Sequence, residues 1–183
     1  SAASDVYKRQ RELRAGETAE SIKLQPAIAA TREAYKRCGK DPSRYRPSAE
    51  ALRRRLMRGL ELYQIDTLVD LINLVSLRTG YSIGGFDADK IQGDSLELGI
   101  GRAEEPFEGI GRGTLNIEGL PFYRDRAGGI GTPTSDNERT KMGLETRRIL
   151  AIVNGYNGRE GLAEAAGMIP VSYTHLRAHE TDQ

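Results

Sequence analysis

Between residues 67 and 78 (TLVDLINLVSLR), a helical projection of about 100° per residue puts Leu68, Leu71, Ile72 and Val75 on one side and Leu74 and Leu77 towards the other. A helix apolar nearly all round is a buried one. Its exception is a narrow polar face of Asp66, Asp70 and Asn73, spaced four and three apart and so neighbours on the surface. Asp66 is placed to cap the first turn. Asp70 and Asn73 either face solvent, satisfy a loop or line a polar pocket, because buried polar groups need partners. Two helices precede this one. Pro26 to Cys38 starts on a first-turn proline and stops at Gly39. Ser48 is a good N-cap for a helix in which Ala49, Leu52, Leu56 and Leu60 recur at helical spacing and Arg53, Arg54 and Arg58 point elsewhere.

Past Gly80 the period becomes two and glycines multiply. Short runs such as SLELGI, TLNIEG and PFYRD, separated by turn residues, predict an antiparallel meander, with RAGG at 126–129 turning one hairpin. A polar loop, GTPTSDNERTK, interrupts it; RILAIV at 148–153 reads as a buried strand, and a helix begins between Gly158 and Ile169. The fold class is α+β. A chain of 183 residues suits one domain that buries about 70% of its unfolded surface around a single core. There is no apolar run of about 18 residues, so no membrane span is expected. With no secretory signal and Cys38 as the lone cysteine, the expected location is cytoplasmic.

A formal charge of +1 conceals a divided chain. Residues 36–58 hold nine basic and two acidic side chains, whereas residues 85–125 hold nine acidic and four basic ones. Tyr35 directly precedes the basic stretch and Tyr45 lies within it, the pattern of a phosphate-backbone footprint, although a solvated helix face with a Glu50/Arg54 pair would look the same. The ends read differently again. Residues 1–10 (SAASDVYKRQ) and 171–183 (VSYTHLRAHETDQ) resemble translated adapter sequence, leaving residues 11–170 as the expected domain, with its last helix cut short. His175 and His179, beside Glu180, are the only histidines, so a native imidazole base or His-ligated metal is not expected.

Candidate chemistry concentrates in the loop from Gly131 to Thr140, which holds Thr132, Thr134, Ser135, Asp136, Asn137, Glu138 and Arg139. Ser135 and Glu138 have capping-box spacing, which would start a helical turn whose free N–H groups face an anion or an ester carbonyl. Without a native histidine, Ser135 or Thr134 lacks the partner of a serine hydrolase; Lys141 or Lys90 are the conceivable bases. GIGRG at 109–113 and GGIG at 128–131 lack phosphate-loop spacing and read as turns. Asp70, Asp87, Glu118 and Asp136 are the carboxylates from which an acid/base pair could be drawn.

From Tyr45 to Asp87 the chain resembles the tRNA-binding editing domain, modules three and four, of the phenylalanyl-tRNA synthetase beta subunit. The matching residues are Pro47, the helix with Arg53 to Arg55, Ile65, Val69, Asp70, Asn73, Gly80, Phe86 and Asp87. Freestanding relatives of that domain are similar from TREAYKRCGKDPSRYRPS through SIGGFD and GTPTSDNERT to NGY, covering roughly residues 26 to 168. The resemblance implies helices packed on a β-sandwich-like core of mainly antiparallel strands, and hydrolysis of the ester of mischarged tRNA in trans. It places Asn73 where the family has a site-lining asparagine and Ser135 near a family serine; with Thr134 and Asp136 of the polar loop these are the catalytic candidates. Asp70, Gly84, Gly85, Phe86, Gly131, Thr132 and Glu145 would line the substrate site, with Glu145 aligned only across a gap. Arg44, Arg46, Arg53, Arg54 and Arg58 would meet the RNA backbone. Gly84 stands where the family's turn carries a histidine, so the hydrolytic water would need Asn73, Asp136 or Thr134, helped by backbone N–H groups or the terminal ribose hydroxyl. The partner is tRNA; DNA, membrane, metal and cofactor are not expected. Two other classes stay open: a non-catalytic RNA-binding module, and an amino-acid-binding domain that has lost RNA contact.

Overall fold

The computed structural model describes residues 8, 12, 16–62 and 66–169. Ile65, the N-terminal segment apart from Lys8, and the tail with His175, His179 and Glu180 lie outside the described residues. Helices α1 (Ala19–Leu24), α2 (Pro26–Arg37), α3 (Ser48–Met57) and α4 (Thr67–Thr79) precede seven strands. These are β1 (Ser82–Asp87), β2 (Glu97–Ile100), β3 (Glu108–Gly109), β4 (Gly113–Thr114), β5 (Pro121–Asp125), β6 (Gly128–Gly131) and β7 (Ile149–Asn154). A helix over 162–169, α5, follows. No described helix is long and apolar enough to cross a membrane.

The α+β class holds, with every strand pair antiparallel. The strands do not form one meander. They close three small sheets ordered β1-β7, β2-β5-β6 and β3-β4, so β1 finds its partner at the far end of the strand series. TLNIEG contributes only Thr114 to a strand, because its apolar residues turn inward: Ile117 is buried with Tyr35, Phe107, Leu120 and Phe122, and Leu115 packs against them. Buried apolar side chains likewise gather in three clusters rather than the single core expected; the others surround Ile72, Val75 and Tyr81, and Ile22, Ile28 and Ala49.

Helix α4 begins and ends as its sequence dictates. The Asp66 carboxylate accepts the N–H groups of Leu68 and Val69, and Gly80 closes the helix at φ 79°, where a Cβ would be strained. Helix α3 differs: Pro47, not Ser48, is its N-cap, and no side chain of its own sequence caps it. Its orphan N–H groups are satisfied from elsewhere in the chain, Ser48 donating to the Pro133 carbonyl at 2.8 Å and Ala49 to Ser82 Oγ at 3.1 Å. Those two bonds pin α3 to β1 and to the 132–137 loop, where the polar residues collect.

Candidate functional site

Thr132 organises the loop. Its hydroxyl oxygen accepts the N–H groups of Thr134 (3.0 Å) and Ser135 (3.1 Å), and its own N–H donates to the Ser135 carbonyl. The capping box is therefore absent: Ser135 N–H is already used, and the short 3₁₀ turn at Glu138–Thr140 is capped by Asn137, whose side chain accepts Arg139 N–H. Glu138 instead accepts the N–H of Gly111 at 3.1 Å and pairs with Lys141. Free N–H groups of Thr134 and Ser135 are thus not part of this site.

A cavity of about 300 Å³ opens over the loop between α3, α4 and β1. Asn73, Thr132, Thr134, Ser135 and Asp136 line it, on apolar walls of Ala51, Leu52 and Ile83. Ser48, Arg55 and Arg112, none of them expected from sequence, line it too. The lining groups fall into two kinds. Thr134 is committed: its hydroxyl donates to the Tyr45 carbonyl and accepts from the buried Tyr35 hydroxyl, both at 2.7 Å, which leaves it no proton for chemistry. Burial raises the Tyr35 pKa, keeping that donor protonated. Asn73, Ser135 and the Arg112 guanidinium, by contrast, line the cavity and make no side-chain hydrogen bond among the described residues, so their polar atoms are unspent.

Asp136 is the ionisable centre. Its Oδ1 lies between Gly84 and Gly131, since a Cβ built on either would stand 3.0 or 2.9 Å from that oxygen and 2.8 Å from the Phe86 ring. Gly131 and Asp136 also form an antiparallel bridge, and Gly85 N–H donates to Oδ2 at 3.2 Å. Burial of the carboxyl raises its pKa to about 7 against this one hydrogen bond, which favours the anion. Gly84, Gly85, Phe86 and Gly131 accordingly shape the pocket of the carboxylate, and Phe86 is its buried floor.

Three candidates lie elsewhere. Glu145 is not in the cavity wall; it is exposed and bonds Lys90 Nζ at 2.7 Å. Asp70, half-buried on α4, is likewise absent from the wall. Arg53 points inward, 8% exposed, bonded to Glu17 and to the Leu77 carbonyl. Among the other arginines, Arg44 and Arg58 are exposed. Arg54 and Arg46 gather with Arg32 on the fully buried Glu50, at 3.1, 3.8 and 2.8 Å. Burial, then Arg54, lowers the Arg46 pKa against the pull of Glu50, and its buried Nε lies too far from that carboxylate to make a hydrogen bond. Among the described residues no three His, Cys, Asp or Glu side chains are placed to hold a metal ion.

Arg112 was hidden in sequence because GIGRG reads as a turn, which it is. Ile110 N–H donates to the Asp136 carbonyl at 3.0 Å, and Gly109 pairs with Asn137. The tip of the β3–β4 hairpin is thereby docked on the 132–137 loop, and Arg112 with it. Comparison with curated proteins gives no match. The family model of the B3/4 domain matches residues 30–166, a span that includes α3, α4, the cavity and the hairpin over it. The chain belongs to the B3/4 domain family, the type of domain found in the phenylalanyl-tRNA synthetase beta subunit.

Proposed function

We propose that this protein binds the aminoacylated 3′ end of tRNA and hydrolyses the ester of mischarged molecules in trans, with Asp136 as the general base. The observation that carries this reading is the placement of Asp136. Gly84 occupies the position at which related turns carry a histidine, and the space beside its missing Cβ is filled by the Asp136 carboxyl and the Phe86 ring. An aspartate with its pKa raised to about 7 titrates close to an ordinary imidazole, near 6.5. The lost histidine is thus replaced by a carboxylate of matching proton affinity, which suits base catalysis at neutral pH.

In the reaction, ionised Asp136 takes a proton from a water as its oxygen attacks the ester carbonyl. Asn73 and Arg112, with unspent donors on the cavity, stabilise the oxyanion in place of the backbone groups that Thr132 has claimed. Collapse breaks the bond to the ribose oxygen, which leaves with the proton held by Asp136. Thr134 and Thr132 shape the wall, and Ser135 is left to orient the substrate. The exposed Arg44 and Arg58, with Arg46 and Arg54 held by Glu50, supply positive charge for the RNA backbone.

Release of labelled amino acid from a panel of correctly and incorrectly charged tRNAs tests this. Release from a mischarged species, lost in Asp136→Asn, is expected. Salt-sensitive tRNA binding without release would make the protein a binding module instead.

A further inference from the structure

A second cavity, of about 270 Å³, adjoins the first, and Arg112, Thr132 and Thr134 line both. Each volume alone sits at or below the lower end for ligand pockets, roughly 300–1,000 Å³. Two such spaces sharing a wall suit a ligand of two linked parts. Their chemistry differs. The first offers the carboxylate, hydroxyl and amide of Asp136, Ser135 and Asn73; the second has no acid in its wall. Leu115, Ile117 and Leu120 make it apolar, and the exposed Asn116 stands at its rim. Asn116 Oδ1 accepts Glu118 N–H, which holds the carboxamide and leaves its NH₂ to donate elsewhere. Arg44 and Arg112 border the same space, and the Tyr45 ring in its wall is itself fixed beneath Lys40 at 4.3 Å and Arg44 at 5.6 Å.

Apolar walls for a flat ring, an amide at the rim and two guanidinium groups are the recognition set of a nucleoside monophosphate. We propose that this second cavity holds the terminal nucleoside of the tRNA, its base against Leu115, Ile117 and Leu120 and its phosphate between Arg44 and Arg112. The aminoacyl group then passes over the shared wall into the first cavity. The inference rests on the ester-hydrolase reading of that first cavity. It explains why the hydroxyls of Thr132 and Thr134 are both spent internally: the wall between the two spaces has to stay in place under a substrate that spans it.

Calorimetric titration with adenosine 5′-monophosphate tests the site directly. Saturable binding is expected in the wild type, weakened about tenfold by Asn116→Ala, a change that alters no charge, and further by adding Arg44→Ala. Both residues are exposed, so the variants should fold. In deacylation, Asn116→Ala alone should raise KM for the mischarged tRNA about tenfold at unchanged kcat, because the reacting groups lie in the other cavity. Equal nucleotide affinity in wild type and variants, or an unmoved KM, overturns the subsite while leaving the hydrolase standing. Failure of the wild type to release any amino acid overturns the reading beneath it, and shows before a variant is made.

Discussion

An acid enclosed between a phenyl ring and two glycines is stabilised as the neutral form, so Asp136, as the proposed base, would link catalysis to stability with opposite signs. Its folded pKa of about 7 lies above the ordinary value of 3.8. Between those two values the folded state holds a proton that the unfolded chain has released, so stability falls as pH rises through that window and is level above it. Asp136→Asn keeps the acceptor for Gly85 N–H but cannot ionise. Thermal melting should show a higher Tm for the variant than for wild type at pH 8 and little difference at pH 4, while deacylation is abolished. In the wild type, the enzymic rate should climb about tenfold per pH unit below 7 and flatten above it, since the ionised form is the base. An unchanged profile with Asp136 removed would assign the proton transfer elsewhere. The neighbouring glycine is equally constrained: a methyl at Gly84 would meet the Phe86 ring at 2.8 Å and Asp136 Oδ1 at 3.0 Å. Gly84→Ala should cost about 1–3 kcal/mol in urea unfolding, the usual penalty of overpacking, and shift the apparent pKa of the rate.

Helix α3 shows how one short element divides its arginines between holding the fold and meeting solvent. Glu50 faces inward, fully buried, and its carboxylate anchors Arg32, Arg46 and Arg54. Removing it strands buried guanidinium charge, so Glu50→Ala should destabilise by about 3–5 kcal/mol. Arg53→Ala loses bonds to Glu17 and Leu77 and should cost roughly 1.5–3 kcal/mol. Exposed Arg58→Ala should stay within about 0.5 kcal/mol in the same assay and weaken RNA binding instead. The helix was legible in the sequence because its apolar spacing is its own, and α4 more so, since Asp66 and Gly80 cap it locally. What periodicity could not show was the sorting of the arginines or the capping of α3. Arg53 is drawn inward by a carbonyl on α4, and the cap comes from Ser82 and Pro133, both remote in sequence. The strand pairing was obscured for the same reason. β1 and β7 are separated by two other sheets, and no local signal joins them.

Across the whole molecule the charge division seen in the sequence meets at the two cavities, Arg44 coming from the basic segment and Arg112 from the acidic one. The density of Thr, Ser and Asp in the 132–136 loop made that wall visible beforehand, whereas Arg112 depended on how a glycine turn docks. A charge count along the chain would also overstate the footprint of the proposed RNA, because arginines buried on Glu50 or in the helix layer release fewer counterions than exposed ones. Binding of tRNA should accordingly follow the exposed set. For single-stranded contacts each neutralised phosphate adds roughly 0.7 to the slope of log affinity against log salt, and about 0.9 on a duplex. Arg58→Ala and Arg44→Ala should each reduce that slope by about 0.7–0.9, measured by filter binding between 50 and 200 mM salt, roughly the range in which phosphate contacts are resolved. Arg53→Ala, once shown to be folded, should leave the slope unchanged. A reduced slope for Arg53→Ala as well would mean that the helix layer opens on the RNA, and that the inward arginine exchanges its carbonyl partner for a phosphate.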